Sequence, residues 1–373
     1  MALSNYSVNK DLRFLILISA VLVIIGCIFI YSASSFYALE RFGNAHYFLF
    51  RQIFGVFIGI TLLFCIQWIP VRILHKSIPL LFAITFILTS LTLVPFCSRT
   101  VHGASRWVNL FGICFQPSEF LKYITIMYIA YLLSKKETIS VYTLRTYIPS
   151  FIIVILTTLL VLKQPDFGCA VTIAVTVLGM VFLFYIRGKD LLTLAGIGMA
   201  ASGMLIFMKA YRLRRILIFL NPWKDPKGAG FQIIQSLIAI GSGGLFGIGI
   251  GHSKQKFFYL PMQHTDFIFS VIAEETGFVG STIVITLYCL VLYYGLRMAY
   301  HIQNTFASLC IAGFSILMSL QAVINLAVVS GLLPTKGIGL PLVSYGNTAL
   351  ICNIMMIGIM ILFVRSYETI HTH

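Results

Sequence analysis

The polar residues best suited to chemistry lie between residues 241 and 280, in a chain of 373 residues that is otherwise largely apolar. Among them, Asp266 stands where a glycine-rich loop leads into a long apolar run. A carboxylate there can cap the helix, because the first amides of a helix lack partners and the helix dipole favours negative charge. It can also act as a general base toward a hydroxyl group. The sequence leaves both roles open.

Two further carboxylates, Glu274 and Glu275, follow Asp266 in the same apolar run. On a helix they would lie about 12–14 Å further along the axis. That separation is too large for either to form a two-carboxylate hydrolytic site with Asp266. We therefore expect Asp266 to act as a single carboxylate, and the two glutamates to turn toward polar groups inside the protein.

Other ionic residues occur in short polar segments earlier in the chain. The Arg106 guanidinium can hold a phosphate or carboxylate through two hydrogen bonds, while Trp107 beside it is also typical of a membrane interface. Glu119 and Lys122 are spaced to share one helix face, where they can pair with each other or face a cavity. Asp166 precedes an apolar run and can cap it.

Several cations accompany these residues. Lys254 and Lys336 are predicted on the same side of the membrane as Arg106, Lys122 and Asp266, and such a cluster suits an anionic amphiphile. No group of metal ligands is apparent, although Mg²⁺ or Mn²⁺ bridging a diphosphate would fit this chemistry. The glycines at 241–251 imitate a dinucleotide fingerprint, but without strand–helix–strand context they indicate loop architecture.

The composition predicts an all-α polytopic membrane protein. Hydrophobic residues make up 59% of the chain and charged residues 10%, against about 25% charged in soluble proteins. Continuous rather than alternating apolar runs argue against a β-barrel. The net charge of +15 lies mainly at the ends of apolar runs, which favours orientation signals and lipid headgroup contacts over nucleic acid binding.

We predict ten membrane spans in a single domain that covers residues 1–373. Basic residues are more frequent in the short loops on the side of the termini, which predicts that both termini are cytoplasmic. In this arrangement three polar segments lie outside: 97–116, 331–345 and a large loop at about 209–265, between spans 7 and 8. Within that loop, residues 231–246 are predicted to form an amphipathic or re-entrant helix. Cys97 and Cys114 share one outer segment and are either paired or free thiols. The predicted spans are 12–34, 51–69, 77–96, 117–134, 149–163, 168–186, 190–208, 266–295, 305–330 and 346–365.

Five motifs, in the same order along nearly the whole chain, resemble the SEDS family (shape, elongation, division and sporulation), whose members include FtsW, RodA and SpoVE. The segment GHSKQKFFYLP at 251–261 is more similar to the FtsW branch. The motifs are GASRWVNLFGICFQPSEFLK at 103–122, KQPDFG at 163–168, GSGGLFGIGIG at 241–251, LPMQHTDFIFSVIAEETGFVG at 260–280 and PTKGIGLPLVSYG at 334–346.

The resemblance implies a ten-helix glycosyltransferase that polymerises lipid II into peptidoglycan strands at the outer face of the bacterial cytoplasmic membrane. In the FtsW branch this serves septal synthesis, with a class B penicillin-binding protein that cross-links the product and with other division proteins. Asp266 matches the family's essential aspartate. From the matching motifs we expect substrate contacts at Arg106, Trp107, Glu119, Lys122, Asp166, Lys254, His264, Thr265, Glu275, Lys336 and Ser344.

One turn departs from the family pattern. Where the family commonly has SYGGSS, this chain has Ser344, Tyr345 and Gly346 followed by Asn347, Thr348 and Ala349. Substrate contacts from the second glycine and the serines of that turn are therefore in doubt.

The expected reaction is an inverting glycosyl transfer in which Asp266 accepts the proton of an acceptor hydroxyl. Arg106 and Lys122, with Lys254 or Lys336, would neutralise the departing polyprenyl diphosphate. The alternatives are an elongation polymerase of the RodA type, a non-catalytic division scaffold, and a lipid II transporter. A transporter predicts inverted repeats and interrupted helices, and neither is apparent in the sequence.

Overall fold

The computed structural model of the chain is a helical bundle that carries one small β-sheet. It describes residues 2–94, 98–101, 104–110, 113–135, 144–184, scattered positions within 189–204, and residues 210–228, 230–253 and 263–371. The helices are α1 Ala2–Phe42, α2 Tyr47–Gln67, α3 Val71–Leu91, α4 Pro117–Ser134, α5 Leu144–Lys163, α6 Phe167–Phe184, α7 Ala210–Leu220, α8 Phe231–Gly243, α9 Ile268–His301, α10 Thr305–Val329 and α11 Asn347–His371.

Six helices in the described part of the chain are long and apolar enough to cross a membrane, so the chain is a multi-pass membrane protein. They lie in α1, α2, α3, α9, α10 and α11 and overlap six of the predicted spans, with ends that differ by up to eight residues. Helices α4, α5 and α6 also form where spans were predicted, but they are shorter or less apolar than those six helices. The predicted span at 190–208 falls largely outside the described residues.

Helix α10 forms the centre of the bundle, because most of its residues are buried. It packs against α4, α6, α9 and α11. Close packing relies on Gly313, where an added Cβ would lie 2.6 Å from both Ile126 of α4 and Met180 of α6. A helix buried on all sides explains why its sequence is apolar around its whole circumference.

A three-stranded antiparallel sheet lies in the polar segment before α4, where the all-α prediction had no strands. It consists of β1 Ser98–Val101, β2 Ala104–Leu110 and β3 Ile113–Phe115, in the order β1-β2-β3. Strand β2 carries Arg106 and pairs Trp107 with Arg99. The strands are short, and their side chains do not alternate clearly between apolar and polar, so the sequence pattern did not reveal them. Cys114 is an exposed free thiol, and Cys97 lies outside the described residues.

Helix α9 is interrupted at Gly277, a feature that the sequence did not show. Gly277 has φ +68°, a conformation that favours glycine. The glycine-rich loop at 244–249 closes the interruption through four backbone hydrogen bonds: Ile248 and Gly249 donate to the carbonyls of Glu274 and Glu275, and Phe278 and Val279 donate to the carbonyls of Gly244 and Leu245. Because these backbone groups are paired, the break needs no water inside the protein.

The predicted helix within the large loop is present as α8. Its buried face includes Ile233, Ile234 and Ser236, and it packs against α9 and α10. The Ser236 hydroxyl donates to the Val329 carbonyl at 2.6 Å and lies 2.7 Å from the Ser270 hydroxyl. These contacts bind α8 to the ends of α9 and α10 that lie nearest to Asp266.

We predict that Gly277→Ala destabilises the protein. The positive φ alone costs about 1–3 kcal/mol for a residue with a side chain, and an added Cβ would lie 2.4 Å from the Gly247 nitrogen. The midpoint of thermal unfolding in detergent should fall. The matched control is Gly241→Ala in α8, where no atom lies within 4 Å of the added Cβ and the midpoint should hold or rise. Equal midpoints for Gly277→Ala and the parent protein would contradict this account.

Candidate active site

Asp266 lies in a turn before α9 and does not cap that helix. The helix begins at Ile268, with Phe267 at the N-cap position and no side-chain cap. Capping by Asp266, one of the two roles left open by the sequence, is therefore wrong. The Asp266 carbonyl accepts a hydrogen bond of 2.7 Å from Asn325 Nδ2, which also donates to the Ile338 carbonyl. Asn325, which the sequence analysis missed, thus holds the backbone of Asp266 against the 331–345 segment.

The environment of Asp266 suits proton transfer. Burial raises the pKa of its carboxyl group from 3.8 to about 6, while the charge of Arg106 opposes this rise and that of Asp166 adds to it. Within the described residues, no hydrogen bond or ion pair holds the Asp266 carboxylate. Such a carboxylate is ionised at neutral pH and remains basic enough to accept a proton.

Arg106 reaches from β2 to the turn between α5 and α6. Its Nη2 donates to the Pro165 carbonyl at 2.7 Å and its Nε to the Gln164 carbonyl at 3.3 Å. Its Nη1 lies 3.5 Å from Oδ2 of Asp166. These three contacts fix the guanidinium and show that Arg106 and Asp166 belong to one site.

Gly337 lies beside both Arg106 and Asp266. A Cβ added there would lie 3.3 Å from Oδ2 of Asp266 and 4.0 Å from Nη1 of Arg106. The absence of a side chain therefore leaves room beside both charged groups. The sequence analysis included this glycine in a motif but assigned it no role.

Asp166 caps α6, as its position before an apolar run allowed, and it also faces Arg106. Its Oδ1 accepts a hydrogen bond of 3.1 Å from the Cys169 amide, which caps α6, and its Oδ2 faces Arg106. Lys336 approaches the same turn, with Nζ 4.6 Å from the ring centroid of Phe167. Burial lowers the pKa of Lys336, and the Asp166 charge partly restores it.

Glu119 and Lys122 form the ion pair that their spacing predicts. Lys122 Nζ lies 2.8 Å from Glu119 Oε2, and the side chains are only 4% and 13% exposed respectively. The pair sits at the start of α4, where the Gln116 amide donates to the Thr348 hydroxyl at 3.3 Å. One of the residues that departs from the family turn thus joins α4 to α11.

His264, Thr265 and Ser344 connect the chain before Asp266 to the 331–345 segment. The Ser344 hydroxyl donates to the Thr265 carbonyl at 2.6 Å and accepts from the Leu340 amide at 2.7 Å. Burial lowers the pKa of His264 to about 4, so its ring is neutral near pH 7. The His264 ring packs among aromatic side chains, including Phe48 at a centroid distance of 4.4 Å.

The remaining expected site residues lie elsewhere or outside the described part. Trp107 is partly buried in β2. The Glu275 carboxylate accepts hydrogen bonds from the Ser32 hydroxyl at 2.6 Å and the Ser253 amide at 3.2 Å, and Glu274 accepts from the Ser253 hydroxyl. These contacts confirm that both glutamates turn toward polar groups inside the protein. Lys254 lies outside the described residues.

A family model described as "Cell cycle protein", for FtsW, RodA and SpoVE, matches residues 12–369 of the chain. The chain is 41% identical to a protein of Trichlorobacter lovleyi named "Probable peptidoglycan glycosyltransferase FtsW", over 94% of this chain and 92% of that protein. It is 37% identical to "Stage V sporulation protein E" of Bacillus subtilis, over 93% of this chain and 95% of that protein.

Solved structures agree with these similarities. One belongs to work described as "Structural coordination of polymerization and crosslinking by a peptidoglycan synthase complex"; it matches with a TM-score of 0.76 at 31% identity, over 94% of this chain and 97% of that chain. The rod shape determining protein RodA of Thermus thermophilus matches with a TM-score of 0.70 at 28% identity, over 94% and 96% of the two chains. By sequence and by fold, this chain belongs to the FtsW/RodA/SpoVE family that its motifs indicated.

Proposed function

We propose that the chain is a peptidoglycan glycosyltransferase that polymerises lipid II at the outer face of the bacterial cytoplasmic membrane. The observation that carries this proposal is the partly buried Asp266 carboxylate, whose pKa is raised to about 6 by burial and is shifted in opposite directions by the charges of Arg106 and Asp166. A relative named as a peptidoglycan glycosyltransferase FtsW supports the reaction class. The similarity of this chain to that FtsW relative also favours septal synthesis over elongation.

The proposed reaction is an inverting transfer. Asp266 takes the proton from the 4-hydroxyl of the acceptor sugar as that oxygen bonds to the anomeric carbon of the donor. The bond between that carbon and the diphosphate oxygen breaks, and the polyprenyl diphosphate leaves with the electron pair. Arg106 and Lys336, which lie beside the α5–α6 turn, stabilise the negative charge that develops on it.

Asp166 serves this reaction by positioning Arg106. Its two oxygens are engaged with the Cys169 amide and with the guanidinium, which leaves Asp266 as the carboxylate available to a substrate. Among the described residues no group of three His, Cys, Asp or Glu side chains could hold a metal ion. A divalent cation would therefore draw most of its ligands from the diphosphate and from water, as Mg²⁺ commonly does.

The membrane arrangement that we propose has ten spans, both termini in the cytoplasm and Asp266 on the outer side. A related structure concerns a complex that couples polymerisation and crosslinking. We infer from this that the chain works with a transpeptidase, and that a class B penicillin-binding protein cross-links its product.

Lipid II transport is a second candidate function, because α9 is interrupted at Gly277 as transporter helices often are. The residues from Phe278 to His301 would still span about 36 Å as a helix, enough to cross the hydrocarbon core of a bilayer. The interruption thus falls near the Asp266 end of α9 rather than at the middle of the membrane. Labelled lipid II that crosses vesicle membranes without forming polymer would favour transport over polymerisation.

We predict that Asp266→Asn lowers the rate of glycan polymerisation by about 10²-fold or more, because the amide cannot accept the hydroxyl proton. The measurement is gel separation of polymer made from labelled lipid II by the purified protein with its candidate partner, while transpeptidation is inhibited. The matched control is Asp225→Asn, which removes a charge from an exposed pair with Arg214 at 3.3 Å and should retain the parent rate. Polymerisation at the parent rate by Asp266→Asn would overturn the assignment.

We also predict that the rate of polymerisation falls on the acid side with a midpoint near pH 6, because only ionised Asp266 can accept a proton. Arg106 stabilises that ionised form, so Arg106→Gln should move the midpoint to higher pH. Asp166 destabilises it, so Asp166→Asn should move the midpoint to lower pH. Rates measured from pH 4.5 to 8.5 test both directions, and shifts of the same sign in the two variants would contradict the proposed coupling.

A further inference from the structure

A cavity of about 370 Å³ opens at the end of the bundle opposite to Asp266. It lies between the first residues of α3 and α10 and the last residues of α4. The side chains that matter for its chemistry are Arg72, His75 and Lys76 of α3, Ser134 of α4, and Asn304 and Thr305 at the start of α10. None of these residues belongs to the candidate active site.

The cavity is positively charged, and its two cations have no ionic partner among the residues that the structure describes. Arg72 and Lys76 are exposed and make no ion pair or hydrogen bond with any described residue. By contrast, Arg297 at the same end of the bundle pairs with Asp11 at 3.2 Å. The ring of His75 packs between Tyr131 and Phe306, with both centroids 4.8 Å away. No described side chain neutralises Arg72 or Lys76, so both can bind an anion.

An apolar stripe continues from this cavity along α3. Ile73, Leu80, Ile84 and Ile87 are 56%, 64%, 44% and 59% exposed. With Lys76 they recur every three or four residues, so they share one helix face. The stripe lies on a helix that meets the criteria for a membrane span and is mostly unburied within the protein. A ligand with a charged head in the cavity and hydrocarbon chains along the stripe would satisfy both surfaces.

We propose that this cavity binds the headgroup of an anionic phospholipid from the adjacent membrane leaflet. The phosphate lies between Arg72 and Lys76, and the acyl chains lie along Ile73, Leu80 and Ile84. The basic residues of the short loops predict that this end of the bundle is cytoplasmic, where anionic lipids attract basic side chains. A free phosphate would match the charges and leave the apolar stripe unused. The site is independent of the proposed catalytic function.

Native mass spectrometry of the full chain in detergent tests the site, with phosphatidylglycerol and phosphatidylcholine titrated in parallel. We expect the parent protein to retain phosphatidylglycerol in preference to phosphatidylcholine. The double variant Arg72→Gln/Lys76→Gln should lower the association constant of phosphatidylglycerol by roughly thirtyfold, from the loss of two basic contacts. Inorganic phosphate at millimolar concentration should not displace the lipid.

The matched control is Lys10→Gln/Arg13→Gln, which removes two exposed cations from α1 near the same end of the bundle and should retain the parent affinity. A charge-retaining variant, Arg72→Lys/Lys76→Arg, should also bind and guards against loss of folding. Equal retention by the Arg72/Lys76 double Gln variant and the parent would overturn the proposal. So would an equal loss in the α1 control, equal binding of phosphatidylcholine, or displacement by inorganic phosphate.

Discussion

The arrangement of the candidate site depends on how the Arg106 guanidinium is held. It bonds to two backbone carbonyls and faces one carboxylate, so it joins the small β-sheet to the turn between α5 and α6. A charge that is partly removed from water must be compensated by such partners. Because the Arg106 guanidinium is fixed, its positive charge keeps a constant position relative to Asp266. Gly337 has no side chain to fill the space beside these two groups.

A second constraint applies where α9 is interrupted. Backbone groups that a broken helix leaves without hydrogen-bond partners cost free energy in an apolar environment. The glycine-rich loop solves this by pairing its own amides and carbonyls with those around Gly277. The loop can approach α9 so closely because Gly243 and Gly247 have no side chains. A Cβ added at either glycine would lie 2.1–2.2 Å from a carbonyl oxygen of α9 and would clash with it. The first part of α9 is thereby held inside the protein, and Asp266 precedes it directly.

Features that depend on neighbours in the chain could be predicted from the sequence. The pair of Glu119 and Lys122 and the cap of Asp166 on α6 follow from spacing of three residues, because a helix brings such positions together whatever surrounds it. The long apolar runs of α1, α2, α3, α9, α10 and α11 were recognisable for the same reason. Capping of α9 by Asp266 was wrong, because Phe267 occupies the N-cap position, one residue after Asp266.

The convergence of Arg106, Asp166, Asp266 and Gly337 could not be derived from spacing, since these residues come from four distant segments and meet only when the bundle packs. The family motifs suggested that these residues share a site, but they gave no distances or contacts between them. Sequence alone determined the membrane class, most helices and the family. The tertiary structure decided the break in α9, the small sheet and the environment that raises the Asp266 pKa, because burial and long-range hydrogen bonding exist only in the assembled fold.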